Sequence, residues 1–160
     1  MQFSDALGFQ VGEARELFRQ GEEGKGIAYL EEFISKGSIF AMIEMAEYLQ
    51  DKGDNSSSLS WMERAERSIA PDDCESLLYL SGALRRGLGA AKERYFRAFD
   101  LKERVAEAGD LAVIREMIVN YYHGLNGASK NLERAIYWVR RAAALNDEGA
   151  KQILRDEGLS

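Results

Sequence analysis

The stretch Ala98-x-x-Leu101-x-x-x-Val105-Ala106-x-x-Gly109 returns as Ala135-x-x-Trp138-x-x-x-Ala142-Ala143-x-x-Asn146, every residue 37 positions further on. Steps of three and four keep these residues on one face of a helix. The small ones admit a close neighbour, and the large ones fill the space that remains. The same register holds in the preceding segments, where Gly109-Val113-Met117-Tyr121-Gly124 matches Asp72-Ser76-Leu80-Leu84-Gly87. Both halves of a helical hairpin therefore repeat, and Gly87 or Gly124 closes the first half with a residue that accepts positive φ. A unit of this length marks a solenoid of helix pairs, whose stacked units form a continuous binding surface rather than a catalytic cleft.

An earlier copy reads Gly37-Ala41-Met45-Leu49, then Gly53, a polar turn, and Ser58-x-x-Trp61-x-x-x-Ala65 before Pro71. A first copy places Ala14 and Phe18 on one helix and Gly26, Tyr29, Phe33 and Ile34 on the next. After Asn146 a further first helix opens with Ala150 and Leu154 and stops at Gly158, as a terminal capping helix should. The expected fold is all-α, a right-handed α-α superhelix of about four hairpins in a single domain over 1–160. Its repeats are 1–36, 37–71, 72–108 and 109–145, with a capping helix over 146–160. The expected helices lie near 5–20, 23–36, 38–51, 56–69, 73–86, 90–108, 110–123, 130–145 and 147–157.

Composition narrows the function classes. With 27 acidic against 21 basic residues the net charge is −6, which repels phosphate backbones and anionic headgroups, so neither nucleic acid nor membrane is expected as a partner. One proline and 46% hydrophobic residues suit an ordered, helix-rich chain. Cys74 is the only cysteine, so no intramolecular disulfide can form. The segment from Met1 to Gln20 has neither the basic head nor the apolar run of a signal peptide, and no later segment approaches a membrane span, which makes the cytoplasm the expected compartment.

Residues that invite a chemical reading each have a plainer one. His123 is the only histidine, which excludes a two-histidine metal site, and beside the Gly124 stop it suits a surface or helix-end role. Asp72, Asp73 and Glu75 follow Pro71 and open a helix, where Asp72-x-x-Glu75 has the spacing of a capping box rather than of a cation site. The run Gly21-Glu22-Glu23-Gly24-Lys25-Gly26 lacks the Ser or Thr of a phosphate loop and carries two repelling glutamates, so it reads as a hairpin turn. The acidic neighbours of Cys74 disfavour a thiolate, and burial is expected for it. Trp61, Phe99, Tyr121 and Trp138 read as core rather than as an aromatic ligand box. Lys92, Glu93, Arg94 and the cluster Lys102-Glu103-Arg104 mix signs as a solvated face with intrahelical pairs does. No catalytic residue, metal or cofactor is expected.

These motifs resemble the SEL-one-like repeat family, relatives of the tetratricopeptide repeats. The last unit matches best, with Tyr121-x-x-Gly124, Asn131 in the place of the family's aspartate, Ala135-x-x-Trp138 and Ala142-Ala143. Leu101 in place of the tryptophan and Arg94 in place of the aspartate depart from the pattern. The resemblance implies that the first helices line a concave wall. In the tetratricopeptide register that wall takes Ile43, Glu47, Gln50 and Asp51, then Leu78, Gly82, Arg85 and Arg86, then Arg115, Val119, Tyr122 and His123. Among these, Glu47, Gln50, Arg85, Arg86, Arg115, Tyr122 and His123 are the expected partner-binding residues. Arg85, Arg86 and Arg115 beside Tyr122 form a candidate basic spot, since Arg and Tyr are enriched at interface hot spots, and cations near helix C-termini are the plainer account. The implied function is a non-enzymatic scaffold that binds a protein or peptide, preferably one with acidic groups, as a bacterial adaptor or a toxin-immunity protein would. A hydrolase or small-ligand enzyme built on the repeats is the alternative, and a self-assembling spacer is a third.

Overall fold

A computed structural model describes residues 5–89 and 94–159. Among them lie nine α-helices: α1 (Val11–Arg19), α2 (Glu23–Ser35), α3 (Ile39–Asp51), α4 (Asn55–Ser68), α5 (Cys74–Arg86), α6 (Arg94–Glu107), α7 (Leu111–His123), α8 (Leu132–Ala144) and α9 (Glu148–Asp156). The described residues contain no strand, and the fold is all-α, built of helical hairpins. No described helix is long and apolar enough to cross a membrane.

Four junctions are made by one dipeptide device that the sequence spells as Gly-Ser, Gly-Asp, Gly-Asp and Asn-Asp. Gly37, Gly53, Gly109 and Asn146 adopt positive φ, between 64° and 101°. Each ends a helix in a Schellman motif, as when Ser38 N–H reaches Phe33 O and Gly37 N–H reaches Ile34 O, both at 2.9 Å. The second residue of the pair then caps the next helix. Ser38 accepts from Ala41 N–H at 3.1 Å, Asp54 from Ser57 at 3.1 Å, Asp110 from Val113 at 3.0 Å and Asp147 from Ala150 at 2.7 Å. Such a cap contributes roughly 0.5–2 kcal/mol.

Two compact units form, Met1–Arg94 and Tyr95–Ser160. In the first, α1 pairs with α2 and α3 with α4, while α3 also packs against α1 and α5. The first helices of successive hairpins thus stand in a row. Gly26 lies where α2 crosses α1, and a Cβ there would come within 2.6 Å of the Phe18 ring. That ring is stacked on Tyr48 with centroids 4.4 Å apart, so it has little freedom to retreat. Ser58, at the small-residue position of α4, is buried and donates its hydroxyl to Ala46 O at 2.7 Å. In the second unit α7 pairs with α8, which also packs on α9. Trp138 is fully buried, with Ala135, Ala142, Val113 and Met117 buried on the same two helices.

Several expectations give way. The first helix begins at Val11 rather than at residue 5, because the Asp5 carboxylate takes the N–H groups of Leu7 and Phe9, both at 3.0 Å, and Gly8 stands at φ +85°. An aspartate turn competes with helix for those donors. Asp73 and not Asp72 caps α5, accepting from Ser76 N–H at 3.0 Å. Cys74 opens that helix and is half-buried instead of buried. Trp61 is half-buried under the guanidinium of Arg64, 4.8 Å from the ring centroid, and the interior place in α4 goes to Met62. The glycine run 21–26 is a turn only at its start, since Gly24 and Gly26 lie inside α2. Lys92 and Glu93, and the expected helix over 90–93, lie outside the described residues.

Candidate functional site

In the first unit an open cleft of about 420 Å³ is bordered by α1, α3 and the end of α5. Its floor is a carboxylate, Glu44, which stands within the apolar run Ile39 to Met45 and is only 5% exposed. A buried charge must be paired. Arg15 provides a two-pronged bond, Nε to Glu44 Oε2 at 2.8 Å and Nη2 to Oε1 at 2.7 Å, and the Tyr79 hydroxyl donates to the same carboxylate. Tyr79 is itself held by stacking on Phe40, with centroids 4.2 Å apart. The bond to Glu44 holds the Arg15 guanidinium above its ordinary pKa. Burial, and then the nearby Glu44 charge, push the Tyr79 hydroxyl up.

One turn further along α3, Glu47 accepts from Arg15 Nη2 at 3.0 Å and from Arg86 Nε and Nη2 at 3.1 and 3.0 Å. Two arginines would lower its pKa, yet loss of water outweighs them and the carboxyl sits above the usual glutamate value. Gln50 spends both ends of its amide on the turn after α5, Nε2 donating to Gly87 O and Oε1 accepting from Gly89 N–H, each at 2.8 Å. The Arg86 guanidinium also lies 5.8 Å from the Tyr79 ring centroid. Glu47, Gln50, Asp51 and Arg86 thus border one cleft, while Ile43, which the register places on the same wall, is fully buried. Arg85 is exposed.

In the second unit Arg115 donates through Nε at 2.8 Å and through Nη2 to Asp147, the residue that caps α9. The Ala150 N–H first, and Arg115 second, hold the Asp147 carboxyl below the usual aspartate range. Tyr122 is half-exposed and meets the exposed His123 edge-on, with ring centroids 4.8 Å apart. Val119, one turn after Arg115, is 49% exposed and borders an apolar groove of about 420 Å³ formed by α7, α8 and α9. Arg86 and Arg115, both expected in the basic spot, are engaged in ion pairs. An acidic group must compete there with carboxylates already in place.

The sequence reading missed Arg15, Glu44 and Tyr79. The signal was available, since a single glutamate amid Ile39, Phe40, Ala41, Met42, Ile43 and Met45 requires a buried partner. It also expected intrahelical pairs in α6. Instead Lys102 pairs with Glu116 of α7, and Glu103 accepts from Tyr121 Oη at 2.7 Å and from Arg134 of α8. Arg134 lies 5.5 Å from the Tyr121 ring centroid and 4.9 Å from that of Tyr137. These charges tie helices together. No group of three or more His, Cys, Asp or Glu among the described residues is placed to hold a metal ion.

No family model matches the chain. It is 31% identical over 107 residues to chitin synthase regulatory factor 3 of Schizosaccharomyces pombe, an overlap of 64% of this chain. The chain spans only 11% of that relative's length. A solved Sel1 repeat protein from Oxalobacter formigenes is 26% identical, matching 79% of this chain and 95% of its own with a TM-score of 0.44.

Proposed function

We propose that the protein is a non-enzymatic scaffold that binds a segment of a partner protein along the exposed faces of its first helices. The observation that carries this reading is the cleft of the first unit. Four residues that the repeat register assigns to the binding wall, Glu47, Gln50, Asp51 and Arg86, border one open volume of about 420 Å³. That is within the size range of binding sites, roughly 300–1,000 Å³. Glu44 holds Arg15, Arg15 and Arg86 hold Glu47, and the backbone of Gly87 and Gly89 holds Gln50, so these polar groups are oriented before a partner arrives, which limits the entropy lost on binding. A cleft of both signs suits a polypeptide that offers its own backbone and charged groups.

The naming of one relative as a regulatory factor supports an adaptor role, and a cytoplasmic adaptor or toxin-immunity protein of bacterial origin is the specialisation we favour. Affinity capture from the native host, with the tagged wild type and with a variant carrying Arg85→Glu and Asp51→Arg, tests the reading. The expected result is a protein recovered by the wild type and lost by the variant, with the helical circular dichroism of both alike. Equal recovery by both would remove the wall assignment, and turnover of a small-molecule substrate by the purified protein would remove the non-enzymatic one.

A further inference from the structure

The groove of the second unit differs in chemistry from the cleft of the first. Its floor is α8, from Leu132 to Val139, and its walls are the C-terminal halves of α7 and α9. Val119, Tyr122, Leu132 and Ile153 are each 45–57% exposed there, which places four large apolar side chains in water on one surface. At one end the ion pair between Arg115 and Asp147 ties α7 to the start of α9, one turn before Val119. At the other end lie the last turns of α7 and α9. There stands Glu157, the one charged residue lining the groove among the described residues. The carboxyl ends of α7 and α9 lie at the same end and add the negative poles of their dipoles.

We propose that this groove binds an amphipathic helix of a partner protein, with an apolar stripe and a flanking lysine or arginine directed at Glu157. The proposal specifies the occupant of one site within the scaffold reading and rests on that reading. Length and charge select the occupant. Seven residues separate Leu132 from Val139, about 10 Å of floor at 1.5 Å per residue, which is the distance covered by anchors at i, i+4 and i+7 of a docked helix. A volume of about 420 Å³ is open to those side chains. Arg115 and Asp147 pair with each other at one end, whereas the Glu157 carboxylate at the other has no such partner fixed across the groove among the described residues and is exposed. An apolar stripe of either flanking charge would gain from burial, but only a basic flank gains at Glu157 as well.

The test is selection from a display library of helical peptides against the immobilised 160-residue protein. The winners are then fluorescein-labelled and measured by anisotropy. Selected sequences should share apolar residues at i, i+4 and i+7 and a flanking Lys or Arg. Val119→Asp and Ile153→Asp, at half-exposed positions that leave the circular dichroism unchanged, should each weaken the best peptide by about tenfold or more. Selection against Glu157→Lys should return acidic flanks instead. The proposal is overturned if no peptide is enriched, if winners bind Val119→Asp as well as the wild type, or if the flanking charge ignores Glu157→Lys. Sedimentation showing a dimer that Val119→Asp dissolves would also overturn it, by making a second copy the occupant. Peptides that are lost with Asp51→Arg and keep their affinity for Val119→Asp would sink this groove while leaving the scaffold reading intact.

Discussion

Replacing Arg15 by alanine isolates what the buried Glu44 carboxylate costs when its main partner is gone. Glu44 is 5% exposed, so without Arg15 it keeps the Tyr79 hydroxyl at the floor of the cleft, where water reaches little of it. Breaking a buried ion pair costs about 3–5 kcal/mol. The Arg15 side chain is 47% exposed, however, and solvent already screens part of its charge, which lowers the expected loss to about 1–3 kcal/mol. If the loss comes from a stranded charge, removing the charge must recover it. The triple change Arg15→Ala, Glu44→Leu and Tyr79→Phe leaves neither a buried carboxylate nor a buried hydroxyl, and it should regain about half or more of the stability lost in Arg15→Ala, because an apolar replacement of a buried pair is often nearly neutral. Urea unfolding followed by circular dichroism and by the fluorescence of Trp61, the tryptophan of this unit, reads both values. A loss under about 0.5 kcal/mol for Arg15→Ala, the level of a surface pair, would refute the claim that Glu44 anchors the cleft. So would a triple variant weaker than the single one.

Other consequences are within reach of the same assay. Trp138→Ala empties a fully buried site and should cost about 3–5 kcal/mol, while Trp61→Ala, at a half-buried site of the same repeat register, should cost under about 2 kcal/mol; equal losses would contradict the different roles assigned to the two. Gly24→Ala, with open space around its Cβ, should stabilise α2 by about 0.5–1 kcal/mol, whereas Gly26→Ala meets the Phe18 ring and should lie at least about 1 kcal/mol below it. The raised pKa of Glu47 means that the folded state holds its proton more tightly than the unfolded one, so the stability linked to it is full below the ordinary glutamate range and declines as the pH rises through the folded value. A pH series of urea midpoints should therefore show Glu47→Gln gaining on the wild type from acid towards neutral pH, and a gap that widens instead would reverse the sign assigned to burial.

The hairpins were legible because their signals are local. A small residue three before a large one, a glycine or asparagine followed by Ser or Asp, and a 37-residue recurrence of both fix helix, stop and restart within a few positions. The cap of α5 fell to Asp73 instead of Asp72 because both are competent caps, and sequence alone does not choose between adjacent aspartates. Trp61 was misplaced for a different reason. It occupies the position that Trp138 fills in the core, yet in α4 Met62 takes the interior and Arg64 covers the indole. Four residues that the repeat register groups together, Glu47, Gln50, Asp51 and Arg86, border one cleft, but the pairing of Arg86 with Glu47 and of Arg115 with Asp147 joins residues more than 30 positions apart, and no local pattern encodes it. The apolar groove went unseen because Leu132, Ile136 and Ile153 read individually as ordinary helix residues and become a surface only when α8 and α9 are packed.

Hydrogen–deuterium exchange on the protein bound to its captured partner tests the scaffold claim most directly. Slowed exchange is expected in the first helices that border the two openings, α3 and the end of α5 in the first unit and the C-terminal half of α7 in the second. Protection confined to α4 and α6, with α3, α5 and α7 exchanging as in the free protein, would contradict it.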